Sequence, residues 1–246
     1  MKADTFARLV VLETLIDAEI GYFLEDRPTT MEAFRESLVS RVSDLVDEID
    51  ALDAVAAART YDAVVDFLSE LPENDDEEMI AVAIRFRRAV DRIVERGMHE
   101  RELKDPSTWA VVLDRLLDEL ADEYHTAVKP GGEIRPREYL RAQLLLARAR
   151  EAADRMLWEA DEEANTQLRS EMDRLTFAVR HQRLKPQAVD LLIRAPQKTA
   201  TRYRPSTLTR LGAFVLGQVL RRDPNRRSGE SPRAGSRGGD AHPAKG

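Results

Sequence analysis

Apolar positions recur every three or four residues along most of the chain, and the elements this predicts are helical throughout. Phe6, Leu9, Val10, Ile16, Ile20, Phe23 and Leu24 mark a first helix from about Asp4 to Glu25, stopped by Asp26-Arg27-Pro28. A capping box then reads Thr29-Thr-Met-Glu32, with a hydroxyl at the N-cap and a carboxylate three residues on. The helix it opens carries Phe34, Leu38, Val42, Leu45, Ile49 and Leu52 in a coiled-coil-like seam. A bend or break is expected around Ala56 to Asp62, beyond which Val64, Val65, Phe67, Leu68 and Leu71 carry the face to Pro72.

Asn74 or Asp75 should cap a third helix. Its face is read as Ile80, Ala83, Ile84, Val90, Ile93 and Val94, with Gly97 as the glycine just past its end. Asp105-Pro106 starts the strongest stripe: Trp109, Val112, Leu113, Leu116, Leu117, Leu120 and Tyr124, ended by Lys129-Pro-Gly-Gly132. Neither Gly nor Pro interrupts residues after Pro136 up to Lys185. A continuous helix there would be about 70 Å long, so a break near Asp161 to Asn165 is expected. A short helix over Pro186–Ala195 and a last one over about Ser206–Arg222 precede a tail without large apolar residues, which should be disordered.

The fold class expected is therefore all-α: a multi-helix bundle with long coiled-coil-like helices and a disordered basic C-terminal tail. Its divisions are an acidic bundle over residues 1–132, a long helix with basic helices packed on it over 133–222, and the tail over 223–246. Aromatic residues make up only 6% and strand-forming runs are scarce, which supports this reading. Cysteine does not occur, which excludes disulfides and thiol chemistry. The opening stretch carries acids inside its apolar run and offers no small-residue cleavage site, so no secretory leader is expected and the location expected is cytoplasmic.

Candidate chemistry is sparse. Glu119 and Asp122, with Glu151 and Asp154 on the following helix, could hold Mg²⁺ against a phosphate. The pairing resembles the carboxylate motifs of all-α nucleotide pyrophosphohydrolases, which would imply a Mg²⁺-dependent nucleotide hydrolase. With 45 acids in 246 residues, however, about eight acidic pairs arise by chance at any fixed spacing, and a solvated face of Glu–Arg pairs gives the same pattern. The four histidines, at 99, 125, 181 and 242, offer no i, i+4 pair for zinc. Arg92…His99 and Arg174…His181 have a spacing similar to the Arg–His motif of HEPN ribonucleases, though a branched apolar residue follows each arginine. No catalytic residue, cofactor or metal is assigned, and an enzyme is not the favoured class.

Charge carries more information. From Arg180 onward fifteen Lys and Arg face four acids, a balance of +11, while the whole chain sums to −7, leaving −18 on the first 179 residues. A basic arm on an acidic body suits a polyanion, an acidic partner or the acidic body itself. Arg202, Arg204, Arg210, Arg221, Arg222, Arg226, Arg227, Arg233 and Arg237 are the expected phosphate contacts, supplying affinity without sequence information. The function expected is a non-enzymatic interaction or regulatory protein that touches nucleic acid through this region. Protein partners or self-association would use the helical faces. The Leu208, Leu211, Val215 and Val219 face could instead rest on an anionic membrane surface or pack on the bundle, in a peripheral membrane or self-assembling protein.

Overall fold

Helix α1 (Ala3–Asp26) is buried on nearly every side: Phe6, Leu9, Val11, Leu12, Leu15, Ile16, Ile20 and Phe23 all face the interior. A helix apolar around most of its circumference belongs at the centre of a bundle, and here α1 is the central element. The computed structural model describes residues 1–26, 30–72, 75–129, 132–156, 162–181 and 185–203. The elements that follow α1 are α2 (Met31–Asp50), α3 (Ala54–Glu70), α4 (Asp76–Gly97), the single turn α5 (Glu100–Leu103), α6 (Pro106–Ala127), α7 (Pro136–Met156), α8 (Glu162–Arg180) and α9 (Pro186–Ala200), then a 3-10 turn at Thr201–Tyr203. Among the described residues there is no strand, only one isolated bridge from Val128 to Ile134. Nor is any described helix long and apolar enough to cross a membrane. The all-α bundle is as the periodicity predicts.

Around α1 pack α2, α4, α6 and α7. The most extensive pairing is α6 on α7. Val112, Leu113, Leu116, Leu117, Leu120 and Tyr124 of α6 are fully buried, and α7 answers with Ala142, Ala149, Ala152 and Ala153. Small residues on one face let the backbones approach and the leucines of the other fill the space between. Each buried leucine contributes roughly 1.5–3 kcal/mol. The two helices turn at Gly132, whose φ of 80° is the left-handed conformation glycine adopts without a steric penalty. The boundary drawn at residues 132 and 133 falls in this turn.

The stretch from Pro136 to Lys185 does break. Tyr139 Oη donates to Val179 O at 2.6 Å and Arg150 pairs with Asp173 at 2.8 Å, so α8 runs back antiparallel along α7. The interval 157–161 lies outside the described residues, as do the helix expected over Ser206–Arg222 and the tail. The described residues belong to one compact unit.

Several details differ from the sequence reading. The N-cap of α2 is Thr30, whose Oγ1 accepts from Ala33 N at 3.3 Å, one residue later than the capping box placed it. The seam of α2 from Phe34 to Ile49 is buried in the common core, while Leu52 lies beyond the helix end. The break after α2 comes at residues 51–53, because Asp53 caps α3 through Ala56 N at 3.0 Å. On α4 the inward face is Met79, Val82, Ala83, Phe86, Val90 and Ile93, and Ile80 and Ile84 are exposed. Gly97 is still helical; a Cβ there would meet Met1 Cβ at 2.9 Å, so close packing explains the glycine. Finally, α9 runs through Pro196 to Ala200. Burial of Val189, Ile193, Pro196 and Ala200 outweighs the roughly 3 kcal/mol that an interior proline costs a helix.

Candidate functional site

Of the nine arginines expected to meet phosphate, Arg202 alone falls among the described residues. It is exposed in the 3-10 turn, and its Nη1 donates to Gln167 Oε1 of α8 at 3.4 Å. Arg204, Arg210, Arg221, Arg222, Arg226, Arg227, Arg233 and Arg237 lie outside them.

The weak metal candidates do not converge. Glu119 is buried against Arg41 and Arg115, whereas Asp122 and Asp154 are exposed and exposed Glu151 accepts from Arg148 at 2.7 Å. Because α6 and α7 run antiparallel through the Glu123–Arg141 contact, Glu119 and Glu151 sit about 10 Å apart along the hairpin. Among the described residues no three His, Asp or Glu gather as a metal-binding group.

What Glu119 joins is a chain of alternating charge through the bundle. Arg137 and Arg141 of α7 clasp Glu19 of α1, whose side chain is 2% exposed; Arg137 Nε donates at 2.8 Å. Arg141 also reaches Glu123 at 3.5 Å, and Arg41 of α2 holds both Glu123, at 2.6 Å, and Glu119. Arg115 continues from Glu119 to Glu48 at 2.9 Å, and Arg8 ends the chain on Glu48 at 3.0 Å. Burial pushes the Glu119 carboxyl up, with Arg41 and Arg115 pulling the other way. Burial alone would lower the Arg141 guanidinium, but Glu19 and Glu123 together hold it above its ordinary range. Five arginines and four glutamates thus tie four helices together. Each of the four acids meets two guanidinium groups, and Glu48 alone among them keeps a substantially exposed side chain, at 40%.

A concave surface lies elsewhere among the described residues. An open groove of about 920 Å³ follows the outer face of α8, lined by Thr166, Arg169, Ser170, Arg174, Phe177 and His181, with Leu192 of α9 beside it. Thr199 of α9 donates to Glu171 of α8 at 2.9 Å, which keeps this pair of helices in register. Gln197 donates to Asp118 at 2.7 Å and His125 pairs with Asp190 at 2.8 Å, fixing α9 to α6. Phe177 is 63% exposed and its ring lies 4.1 Å from that of His181, with the planes at 51°. Arg174 and His181, seven residues apart, are two turns apart on one helix and line the same groove; Arg92 and His99 share no such surface, for Arg92 lines a small cavity between α3 and α4 while His99 opens α5. No known family, curated protein or solved structure matches this chain.

Sequence reasoning did not single out this groove or the charge chain. Glu19 gave a signal, since it falls on the apolar face of α1 between Ile16 and Phe23. Phe177 gave a misleading one, because an aromatic residue at helical spacing ordinarily reads as core.

Proposed function

We propose that this is a non-enzymatic helical interaction protein whose basic C-terminal region contacts nucleic acid without strong sequence preference. The observation that carries the reading is the charge division, −18 before Arg180 and +11 from it onward. The arrangement of the body supports it. Arg8, Arg41, Arg115, Arg137 and Arg141 of the body are engaged by acids of the bundle, while Arg180, Lys185, Arg194, Lys198 and Arg202 are exposed, as are Arg59, Arg88, Arg92 and Arg96 of α3 and α4. Cations that stand in water are the ones able to release counterions from a phosphate backbone.

Truncation after Asp223 removes Arg226, Arg227, Arg233, Arg237 and Lys245, and Arg221→Ala with Arg222→Ala removes two more cations. Affinity for DNA or RNA should fall alike for every sequence tested. The slope of log K against log salt should shrink by about one for each duplex phosphate no longer neutralised. Binding indifferent to salt, or none at about 50 mM salt, would overturn the reading. Binding to anionic vesicles that requires Leu211 and Val215 would replace it with a membrane-surface role.

A further inference from the structure

The groove on α8 brings an exposed aromatic ring, two exposed arginines and a histidine together on one helix face. Phe177 leaves most of its ring in water although the neighbouring positions Leu175, Ala178 and Val179 are buried. Arg174 lies one turn before it and Arg169 two turns before, both exposed. The acid that lines the groove, Asp173, is held by Arg150 Nη1 at 2.8 Å, so a cation beside it counters its charge. Arg202 stands at the end nearer Thr166, bonded to Gln167. The hydroxyls of Thr166 and Ser170 add polar groups to the same wall.

We propose that this groove receives a single-stranded nucleic acid, with an unpaired base stacked on Phe177 beside His181 and the flanking phosphates met by Arg169 and Arg174. The inference rests on the nucleic-acid reading above and deepens it by naming the strandedness of the ligand. In a duplex the faces of the bases are already covered by their neighbours, so an exposed phenyl ring gains nothing there. In a single strand every base has a free face, and a positive groove with an aromatic platform is how such strands are held without sequence preference. The apolar floor at Ala178 and Leu192 suits a base better than a phosphate, and the arginines placed on preceding turns suit the backbone that leads into it.

The test uses the full chain and two probes, a short oligo-dT and a blunt duplex of equal length, read by fluorescence anisotropy. Phe177→Ala should weaken oligo-dT binding by about 5- to 150-fold and leave duplex binding unchanged, while Phe177→Trp retains both. Arg169→Ala with Arg174→Ala should lower the oligo-dT salt slope by about 0.7 for each phosphate left without its arginine. Because Phe177 is exposed, its replacement should leave the helical melting curve in place, which separates a binding defect from unfolding. Wild-type oligo-dT affinity in Phe177→Ala, or equal weakening on both probes, overturns the inference. If truncation after Asp223 still reduces duplex binding in that case, the nucleic-acid function stands and the groove alone is misassigned. A change in sedimentation of Phe177→Ala with oligo-dT affinity intact would make the groove a protein interface, which also overturns it.

Discussion

Glu19 occupies a position that Ile16 and Phe23 mark as interior, and two guanidinium groups from α7 make its charge tolerable there. Removing one partner of a buried pair strands the other, which costs more than the pair itself contributes. Glu19→Ala should therefore destabilise the protein by about 3–5 kcal/mol in urea unfolding, because Arg137 would lose its carboxylate and Arg141 would keep only its 3.5 Å contact to Glu123. A change under about 1 kcal/mol would mean that the arginines swing to solvent. Glu119 supports a test with pH. Burial raises its carboxyl above the ordinary value of 4.5, against the pull of Arg41 and Arg115. A carboxyl raised in this way holds its proton more tightly folded than unfolded. Its stabilising contribution is complete below about 4.5 and is lost as pH rises through the folded value. The stability of the native protein relative to Glu119→Gln should then increase as pH is lowered from 7 toward 4.5. Urea midpoints at the two pH values measure it, and a difference that shrinks instead would show the ion pairs outweighing burial.

At the scale of the helices, α6 makes the sharpest demand. Leu117 is fully buried in the hydrophobic core, so Leu117→Asp places an unpaired carboxylate inside it. The cost should exceed about 3 kcal/mol, visible as a large drop in the thermal midpoint of the helical signal. That stripe was legible because leucine repeats leave one face for the interior and no other. Asp75 and Asp105-Pro106 were legible too, since caps act within one turn of chain. On α4 the period was ambiguous: Ile80 and Ile84 are spaced as well as Met79 and Ala83, and only the position of α1 and α3 decides which pair turns inward. Pro196 misled for a similar reason, as a local penalty was outweighed by burial against α6 and α8. Of the candidate site, the Arg174…His181 spacing was readable as two turns of one face; that Phe177 between them turns outward depended on which side of α8 the other helices cover.

For the molecule as a whole, the placement of charge separates two kinds of electrostatics. Guanidinium–carboxylate pairs within the bundle are shielded from solvent ions, while the cations from Arg180 to Arg202 stand in water. Added salt screens exposed charges and leaves enclosed pairs largely unaffected. The salt titration that tests nucleic-acid binding should thus read the surface cations without loosening the fold beneath them. Glu19, Glu119, Glu123 and Arg141 are the enclosed members of the charge chain, while Arg41 and Glu48 keep 34% and 40% of their side chains exposed.

The central position of α1 also sets a schedule. Its largest partners, α6 and α7, end at Ala127 and Met156, more than a hundred residues after Asp26. On a ribosome adding about 5–20 residues per second, α1 would wait for roughly 7 to 26 s before both could reach it. The hairpin α6–α7 closes from neighbouring sequence, but α1 is made well before it and is among the last of these helices to be covered. Newly made chains are thus exposed to aggregation through Ala3–Asp26 until that hairpin has formed.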